Sequence, residues 1–209
     1  MALTFRKLHP HFVAEVSPVD LRRVHDGETL ALLAKVVPPV AADTEFADMR
    51  GAYDALPAET KAQLEGLRVH HTVTHSRQTL GFEFSEDERE ILKGAVHPLV
   101  RTIPRSQRRA LYPASHASRI IDWPVPEGRL LLRDLMEHAT RPEFVYRHAW
   151  RVGDLVIWDN RATMHRARPF DDAKYRRELR RVTTRIGNGS PGRRPPAPRR
   201  VTVRRASIP

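Results

Sequence analysis

The forty residues from Arg147 to Ile186 constrain the fold of this chain more than any other stretch. The segment Phe144 to Trp150 is rich in β-branched and aromatic residues and predicts a strand, and a Gly-Asp turn leads from it into a second apolar run, Leu155 to Trp158. Together the two runs predict a hairpin. Asp159-Asn160-Arg161 ends the second run, because these polar side chains readily hydrogen-bond their own backbone. His165 follows shortly afterwards, and we expect it to face a cavity.

Four arginines follow this histidine in the segment RRELRRVTT, namely Arg176, Arg177, Arg180 and Arg181. Because a strand sends alternate side chains to opposite faces, some of these guanidinium groups should share one face. Arginine stays charged and binds carboxylates through two parallel hydrogen bonds, so the segment is suited to anchoring an anionic small molecule beside His165. The pattern is also typical of a solvated basic strand next to a histidine of the core.

The length and composition indicate the broad class of protein. A chain of 209 residues can form one domain with a substantial core. It has no cysteine, which excludes disulfides and thiolate metal sites, and it has neither an apolar run long enough to span a membrane nor the apolar core of a signal peptide. We therefore expect a cytoplasmic protein with no membrane partner.

The basic charge is concentrated at the C-terminus. The chain carries a net charge of +11, and its last 24 residues contain six arginines and no acidic residue. Residues 190–209 are rich in Gly, Pro and Arg without apolar periodicity, which predicts a disordered tail. A nucleic-acid-binding arm is one interpretation. A solvated extension explains the same composition, so we do not expect a nucleic-acid partner.

Apolar spacing predicts three helices that bear on the site. Pro126 to Ala139 is amphipathic, with its leucines and Met136 on the core face. Asp43 or Thr44 is expected to cap a second helix that continues towards Leu56, and Ser85 to Leu92 reads as a short capped helix. The basic segment from 101 to 109 is expected to be an exposed loop.

The histidine-rich segment HHTVTH has a spacing that would suit a metal site if it were helical, since His71 and His75 are one helical turn apart. The alternation of β-branched residues around it argues against a helix. We expect the segment to lie in a lid or on the surface.

The motif GDLVIWDNRATMHRARPF, together with RRELRRVTT, closely resembles the C-terminal signature of a known enzyme family. These are the iron(II)- and 2-oxoglutarate-dependent dioxygenases of the taurine dioxygenase and dichlorophenoxyacetate dioxygenase (TauD/TfdA) family. The resemblance implies that His165 is an iron ligand, that Arg177 binds the distal carboxylate of the co-substrate 2-oxoglutarate, and that Arg181 faces the acidic group of the substrate. A residue that looks inserted before these arginines leaves Arg176 and Arg180 open for the same roles.

Other segments resemble the same family. ADTEF matches a family motif whose threonine contacts 2-oxoglutarate, which makes Thr44 a candidate cofactor-binding residue as well as a candidate helix cap. His116 resembles a histidine near the rim of the active site. The fold implied is mixed α+β, with a double-stranded β-helix (jelly-roll) core and helices outside it.

The H-x-D motif, which supplies the other iron ligands in this family, is missing. None of the eleven histidines is followed two positions later by Asp or Glu, and His25 with Asp26 and Glu28 has the wrong spacing. We therefore expect a single domain over 1–189 that is internally truncated near 23–31, with an incomplete jelly roll. Its unpaired strand edges predict a marginally stable chain or a homo-oligomer.

Two functions follow from these observations. The first is an iron(II)/2-oxoglutarate-dependent dioxygenase that hydroxylates a small acidic organic substrate, a sulfonate or an aryloxyalkanoate, with activity impaired in this form. The second is a non-catalytic remnant or a module that binds anions or nucleic acid. His165 is expected to share one pocket with Thr44 and at least one of the four arginines.

Overall fold

The computed structural model describes residues 4–16, 30–104 and 106–183. The strands in these ranges are β1 (Phe5–Lys7), β2 (Ala14–Val16), β3 (Leu30–Val36), β4 (Thr44–Asp48), β5 (Arg68–His71), β6 (Ala95–Pro98), β7 (Val100–Thr102), β8 (Arg109–Leu111), β9 (Ala117–Ile120), β10 (Val145–His148), β11 (Leu155–Trp158), β12 (Thr163–Ala167) and β13 (Glu178–Thr183). The helices are α1 (Met49–Asp54), α2 (Ala58–Leu64), α3 (Val73–Gln78), α4 (Glu86–Ile91) and α5 (Val125–Ala139). The mixed α+β class is confirmed.

Two three-stranded antiparallel sheets hold the C-terminal motif. The β4 sheet has the strand order β10-β4-β12, and the β3 sheet has the order β11-β3-β13. Phe46 of β4 packs edge to face against Trp158 of β11, with ring centroids 5.3 Å apart, and both side chains are buried. This aromatic contact brings the two sheets together, so side chains from both can face a common interior.

A second core lies on the other side of the β4 sheet. It is built from α1, α5 and a third sheet of order β6-β5-β9, and Ala47 of β4 is one of its buried members. Its largest fully buried apolar side chains are Leu64, Val69, Leu99, Leu111 and Ile120. The β4 sheet therefore separates an aromatic interior from a larger aliphatic one.

The predicted hairpin between the two strands of the C-terminal motif is wrong. Both strands form, but β10 pairs with β4 and β11 pairs with β3, so the link between them crosses from one sheet to the other. The crossing includes Gly153, whose φ of +88° suits glycine. Strand propensity and a turn signal predicted the two elements, but pairing depends on distant strands that a local pattern does not reveal.

Thr44 is not a helix cap. It begins β4, and the helix starts only after Asp48, whose side chain accepts a hydrogen bond from the backbone N–H of Arg50. The apolar residues that suggested one long helix instead fill a strand and a short helix, because Phe46 and Ala47 point to opposite cores. Thr44 is therefore the first residue of β4, the central strand of the β4 sheet.

The other helix predictions have mixed outcomes. α5 is confirmed, as is the capped helix α4, whose Ser85 and Glu88 form a capping box. The expectation that the segment HHTVTH avoids a helix is wrong in part, since the chain leaves β5 at His71 and enters α3. The expected basic loop instead contains parts of the β7-β8 hairpin.

The edges of both sheets carry apolar surface. Within the described ranges β10, β12, β11 and β13 are edge strands, and Ile157 and Val182 of the β3 sheet are 48% and 62% exposed. A homo-oligomer stays a prediction. No helix in these ranges is both long and apolar enough to cross a bilayer. The residues His25, Asp26 and Glu28 and the tail 190–209 lie outside the described residues.

The turn that precedes β6 provides a stability test. Gly94 has φ +83°, and a Cβ added there would lie 1.9 Å from the carbonyl oxygen of His71, whereas Gly66 has φ +74° and nothing within 4 Å of an added Cβ. Gly66→Ala should lower the free energy of unfolding by about 1–2 kcal/mol through backbone strain alone. Gly94→Ala should lower it further, because the methyl group also displaces β5. Urea denaturation measures both values, and equal losses would contradict this packing.

Candidate functional site

Thr44 lies where the two sheets meet. Its hydroxyl oxygen accepts hydrogen bonds from the indole Nε1 of Trp150 at 2.9 Å and from Nη2 of Arg177 at 3.0 Å. Thr44 is 3% exposed, and Trp150 is also buried. Because a hydroxyl oxygen has two lone pairs, these two donors use its whole acceptor capacity. Thr44 and Arg177, the two candidate 2-oxoglutarate-binding residues of the sequence analysis, are therefore hydrogen-bonded to each other.

Arg177 differs from its neighbours in partner and burial. Its guanidinium group is partly buried, and Nε has no hydrogen-bond partner among the described residues. Burial lowers the pKa of Arg177, and the nearby carboxylate of Asp43 acts in the opposite direction. Arg176 and Arg180 both pair with Glu178, and their side chains are 77% and 67% exposed. Of these three arginines, only Arg177 reaches Thr44.

His165 lies on β12 beside the rings of Phe46 and Trp158, and it remains exposed to solvent on its other side. It lies opposite Phe46 in the β4 sheet, and its ring centroid is 4.8 Å from that of Trp158 and 6.1 Å from that of Phe46. Burial of the ring lowers the pKa of His165, and the positive charge of Arg181 lowers it further. Thr44 lies two residues before Phe46 on β4, and alternate residues of a strand point to the same face. His165 and Thr44 are therefore on the same side of the β4 sheet.

The expectation of one shared pocket is wrong. His165 lines a cavity of about 820 Å³, but Thr44 and the four arginines of the RRELRRVTT segment do not line it. The hydroxyl of Thr44 instead accepts hydrogen bonds from Trp150 and Arg177, which also do not line the cavity. The cavity instead extends from His165 towards α5 and the β6-β5-β9 sheet. Met136, expected in the core, also lines it.

The residues that could hold iron do not form a complete set. In the described part of the chain, no three His, Asp or Glu side chains are grouped so as to bind a metal ion. His165 lies on a strand beside the rings of Phe46 and Trp158, yet a non-haem iron site needs two histidines and a carboxylate on one face. The described residues therefore do not by themselves fit iron(II).

Three further rings form a wall of the cavity that the sequence did not assign to the site. His71 lies 5.5 Å from His97 and 5.2 Å from Tyr112, measured between ring centroids, and all three line the cavity. Arg101 lies over the ring of Tyr112 at 3.5 Å. Burial lowers the pKa of His71 to about 4, and the charges of His97 and Arg101 contribute. The alternation of HHTVTH was a usable signal, because it places His70 and His71 on opposite faces of β5.

His116 lines the same cavity and is held by α3. Its Nδ1 lies 2.7 Å from the hydroxyl oxygen of Ser76, and its backbone carbonyl accepts a hydrogen bond from the N–H of Thr72. Burial and the charge of Arg77 lower the pKa of His116. The rim location that the resemblance implied for His116 stays a prediction.

The low pKa of His71 predicts acid sensitivity. Because the folded state holds the imidazole neutral to about pH 4 and the unfolded chain protonates it near 6.5, the stabilisation is complete above 6.5 and is lost as pH falls towards 4. The urea midpoint of the parent chain should therefore fall between pH 7 and pH 4.5. His71→Phe should show a smaller fall, while the control His11→Phe, at an exposed loop position, should match the parent. An identical fall in His71→Phe would contradict the prediction.

Comparison with known proteins agrees with the motifs. The model of the family "Taurine catabolism dioxygenase TauD, TfdA family" matches residues 5–183. Over 154 residues the chain is 54% identical to an alpha-ketoglutarate-dependent 2,4-dichlorophenoxyacetate dioxygenase of Burkholderia sp. (strain RASC), which covers 73% of this chain and 52% of that protein. It is 37% identical over 150 residues to an (S)-phenoxypropionate/alpha-ketoglutarate-dioxygenase of Sphingobium herbicidovorans, covering 68% and 52%.

Solved structures give the same result. One is AAD-2 in complex with Mn(II) and N-oxalylglycine, with a TM-score of 0.82 and 38% identity over 88% of this chain and 97% of that chain. Another is a putative alpha-ketoglutarate-dependent 2,4-D dioxygenase from Burkholderia xenovorans, with a TM-score of 0.72 and 50% identity over 75% and 61% of the two chains. The chain spans about half the length of the curated relatives it matches. On the family match and these likenesses, the chain belongs to the TauD/TfdA dioxygenase family.

Proposed function

We propose that this chain carries the 2-oxoglutarate-binding and substrate-binding part of an iron(II)/2-oxoglutarate-dependent dioxygenase. The hydrogen bond between Arg177 and Thr44 is the observation that carries the proposal. A guanidinium group has five N–H donors, and Thr44 accepts only one, so Arg177 is oriented yet keeps donors for a carboxylate. Its partial burial strengthens such a pair, because water screens it less.

Arg181 is the residue that we assign to the acidic group of the substrate. Its positive charge lowers the pKa of His165, which supports a position of the Arg181 side chain near that histidine. Arg176 and Arg180 are less suited to this role, because both are paired with Glu178 on the exposed side of β13. The named activities of the relatives support an aryloxyalkanoate, while a 33% identical sulfate ester dioxygenase of Pseudomonas putida keeps the sulfur-containing class as the second candidate.

The architecture in this proposal is an incomplete double-stranded β-helix. The face-to-face contact of the β4 and β3 sheets supports it, as does the likeness to family structures. A single domain over 1–189 with an internal truncation near 23–31 accounts for the half-length match to the curated relatives. The cytoplasmic location and the disorder of 190–209 stay predictions from the sequence.

A second candidate function is an anion-binding module that does not turn over. It is favoured by the incomplete donor set, since the described residues contain no group of three His, Asp or Glu side chains that could bind a metal ion with His165. Binding by Arg177 and catalysis at iron are then separable properties. We propose that the chain as given binds 2-oxoglutarate but lacks the geometry that would fix iron(II).

The assignment of Arg177 predicts a selective loss of affinity. Arg177→Ala should weaken the binding of N-oxalylglycine, an analogue of 2-oxoglutarate, by on the order of 2–5 kcal/mol, because the sheltered carboxylate loses its forked partner. Arg176→Ala removes the same charge one residue earlier, from the exposed side, and should leave the affinity nearly unchanged. Calorimetry measures both. The opposite ranking would move the role to Arg176.

The incomplete donor set predicts that the chain does not turn over. With iron(II), ascorbate, 2-oxoglutarate and either a short sulfonate or an aryloxyacetate, succinate should not form above the level without protein. The control is His165→Ala, which should give the same baseline. Iron-dependent succinate release that disappears in His165→Ala would contradict the prediction, and would mean that Asp26, Glu28 or a carboxylate from a second copy completes the site.

A further inference from the structure

The hydroxyl proton of Thr44 has no acceptor among the described residues. Both lone pairs of the oxygen are in use, because Nε1 of Trp150 donates to it at 2.9 Å and Nη2 of Arg177 donates to it at 3.0 Å. Neither group can accept a hydrogen bond in return, since an indole N–H and a guanidinium group are donors only. Thr44 is 3% exposed, so its O–H is a buried donor that is left for the acceptor of a bound molecule.

Trp150 is the residue that makes Thr44 a donor. Arg177 alone would occupy one lone pair of the hydroxyl oxygen and would leave the other free to accept a hydrogen bond from a ligand. Trp150 occupies this second lone pair, so only the proton remains for a molecule beside Thr44. The contrast with Trp158 supports a specific role, because both tryptophans are 7% exposed but the indole N–H of Trp158 has no partner among the described residues.

The position of the indole ring of Trp150 depends on His148. The ring centroids of the two residues are 4.5 Å apart, and their planes are nearly perpendicular at 87°. His148 is also the partner of Thr44 in the register of β10 and β4, and directly opposed residues share a face of the sheet. A second cavity, of about 300 Å³, borders Trp150, so the indole is not enclosed on every side. The contact with His148 therefore helps to keep Nε1 directed at Thr44.

We propose that Trp150 is a positioning residue of the co-substrate site, which fixes Thr44 as a hydrogen-bond donor and so makes the site select a carboxylate over a carboxamide. With Trp150 in place, Thr44 and Arg177 present only donors. A carboxylate only accepts hydrogen bonds, whereas a carboxamide brings two N–H donors that would find no acceptor there. This inference rests on the proposed function and deepens it by naming the residue that sets the class of ligand.

Calorimetry with two ligands tests the selectivity. N-oxalylglycine carries a carboxylate at its glycine end, and N-oxalylglycinamide has a carboxamide of the same shape in that position. The readout is the ratio of the two dissociation constants, because a general loss of structure weakens both ligands alike and leaves the ratio unchanged. The parent chain should bind N-oxalylglycine about 10- to 100-fold more tightly, the range of a hydrogen bond to a charged group.

Trp150→Phe keeps an aromatic ring and removes the indole N–H. One lone pair of Thr44 becomes free to accept from the carboxamide, so the ratio should fall by about three- to tenfold, the range of a single hydrogen bond. In a Thr44→Val background the same replacement should leave the ratio unchanged, because the hydroxyl is absent. Trp123→Phe is the matched control, since Trp123 packs against the second core and should keep the parent ratio.

His148 provides a second test that leaves the indole in place. His148→Ala should lower the ratio, because the indole can then turn away from Thr44, and His148→Phe should restore it by keeping a flat ring against Trp150. Urea midpoints show that each variant is folded. If Trp150→Phe does not fold, the two His148 variants decide the question.

The outcomes distinguish this inference from the proposed function. An unchanged ratio in Trp150→Phe, or an equal fall when Thr44 is already Val, would overturn the inference alone. Equal binding of N-oxalylglycine by the parent chain and by Arg177→Ala would overturn the proposed function. The absence of N-oxalylglycine binding to the parent chain would overturn both.

Discussion

The buried hydroxyl of Thr44 is the point on which the candidate site depends. It accepts one hydrogen bond from Trp150, which follows β10, and one from Arg177, which precedes β13. These bonds connect β4 to the segments that lead into the β3 sheet. Without this acceptor, burial of either donor would destabilise the fold, because an unsatisfied polar group costs about 1–3 kcal/mol in the interior. The same bonds that stabilise the contact between the sheets also orient the guanidinium group of Arg177.

The two faces of the β4 sheet contact different hydrophobic clusters. On one side, Phe46, Trp158 and His165 form an aromatic interior that lowers the pKa of the histidine by burial. The large cavity extends from His165 to His116 and to the wall formed by His71, His97 and Tyr112. The arginine that orients against Thr44 is outside this cavity.

The sequence predicted the elements of the motif better than their arrangement. β10, β11 and α5 followed from local composition and spacing, and the resemblance favoured Arg177 over Arg176 and Arg180, which both pair with Glu178. The strand at Thr44 was mistaken for a helix start, because an apolar run of this length fits either element. The contact between Ser76 and His116 was missed, since it joins α3 to a residue forty positions later.

A double-mutant cycle on Thr44 and Arg177 tests the central claim most directly. Thr44→Val keeps the shape but removes the acceptor, and Arg177→Lys keeps the charge but removes the forked geometry. If Thr44 acts by orienting Arg177, the two single variants lose part of the same interaction. The sum of their losses of N-oxalylglycine binding free energy should then exceed the loss in the double variant by about 0.5–3 kcal/mol. Losses that simply add in the double variant would show that the two residues act independently, and would contradict the account.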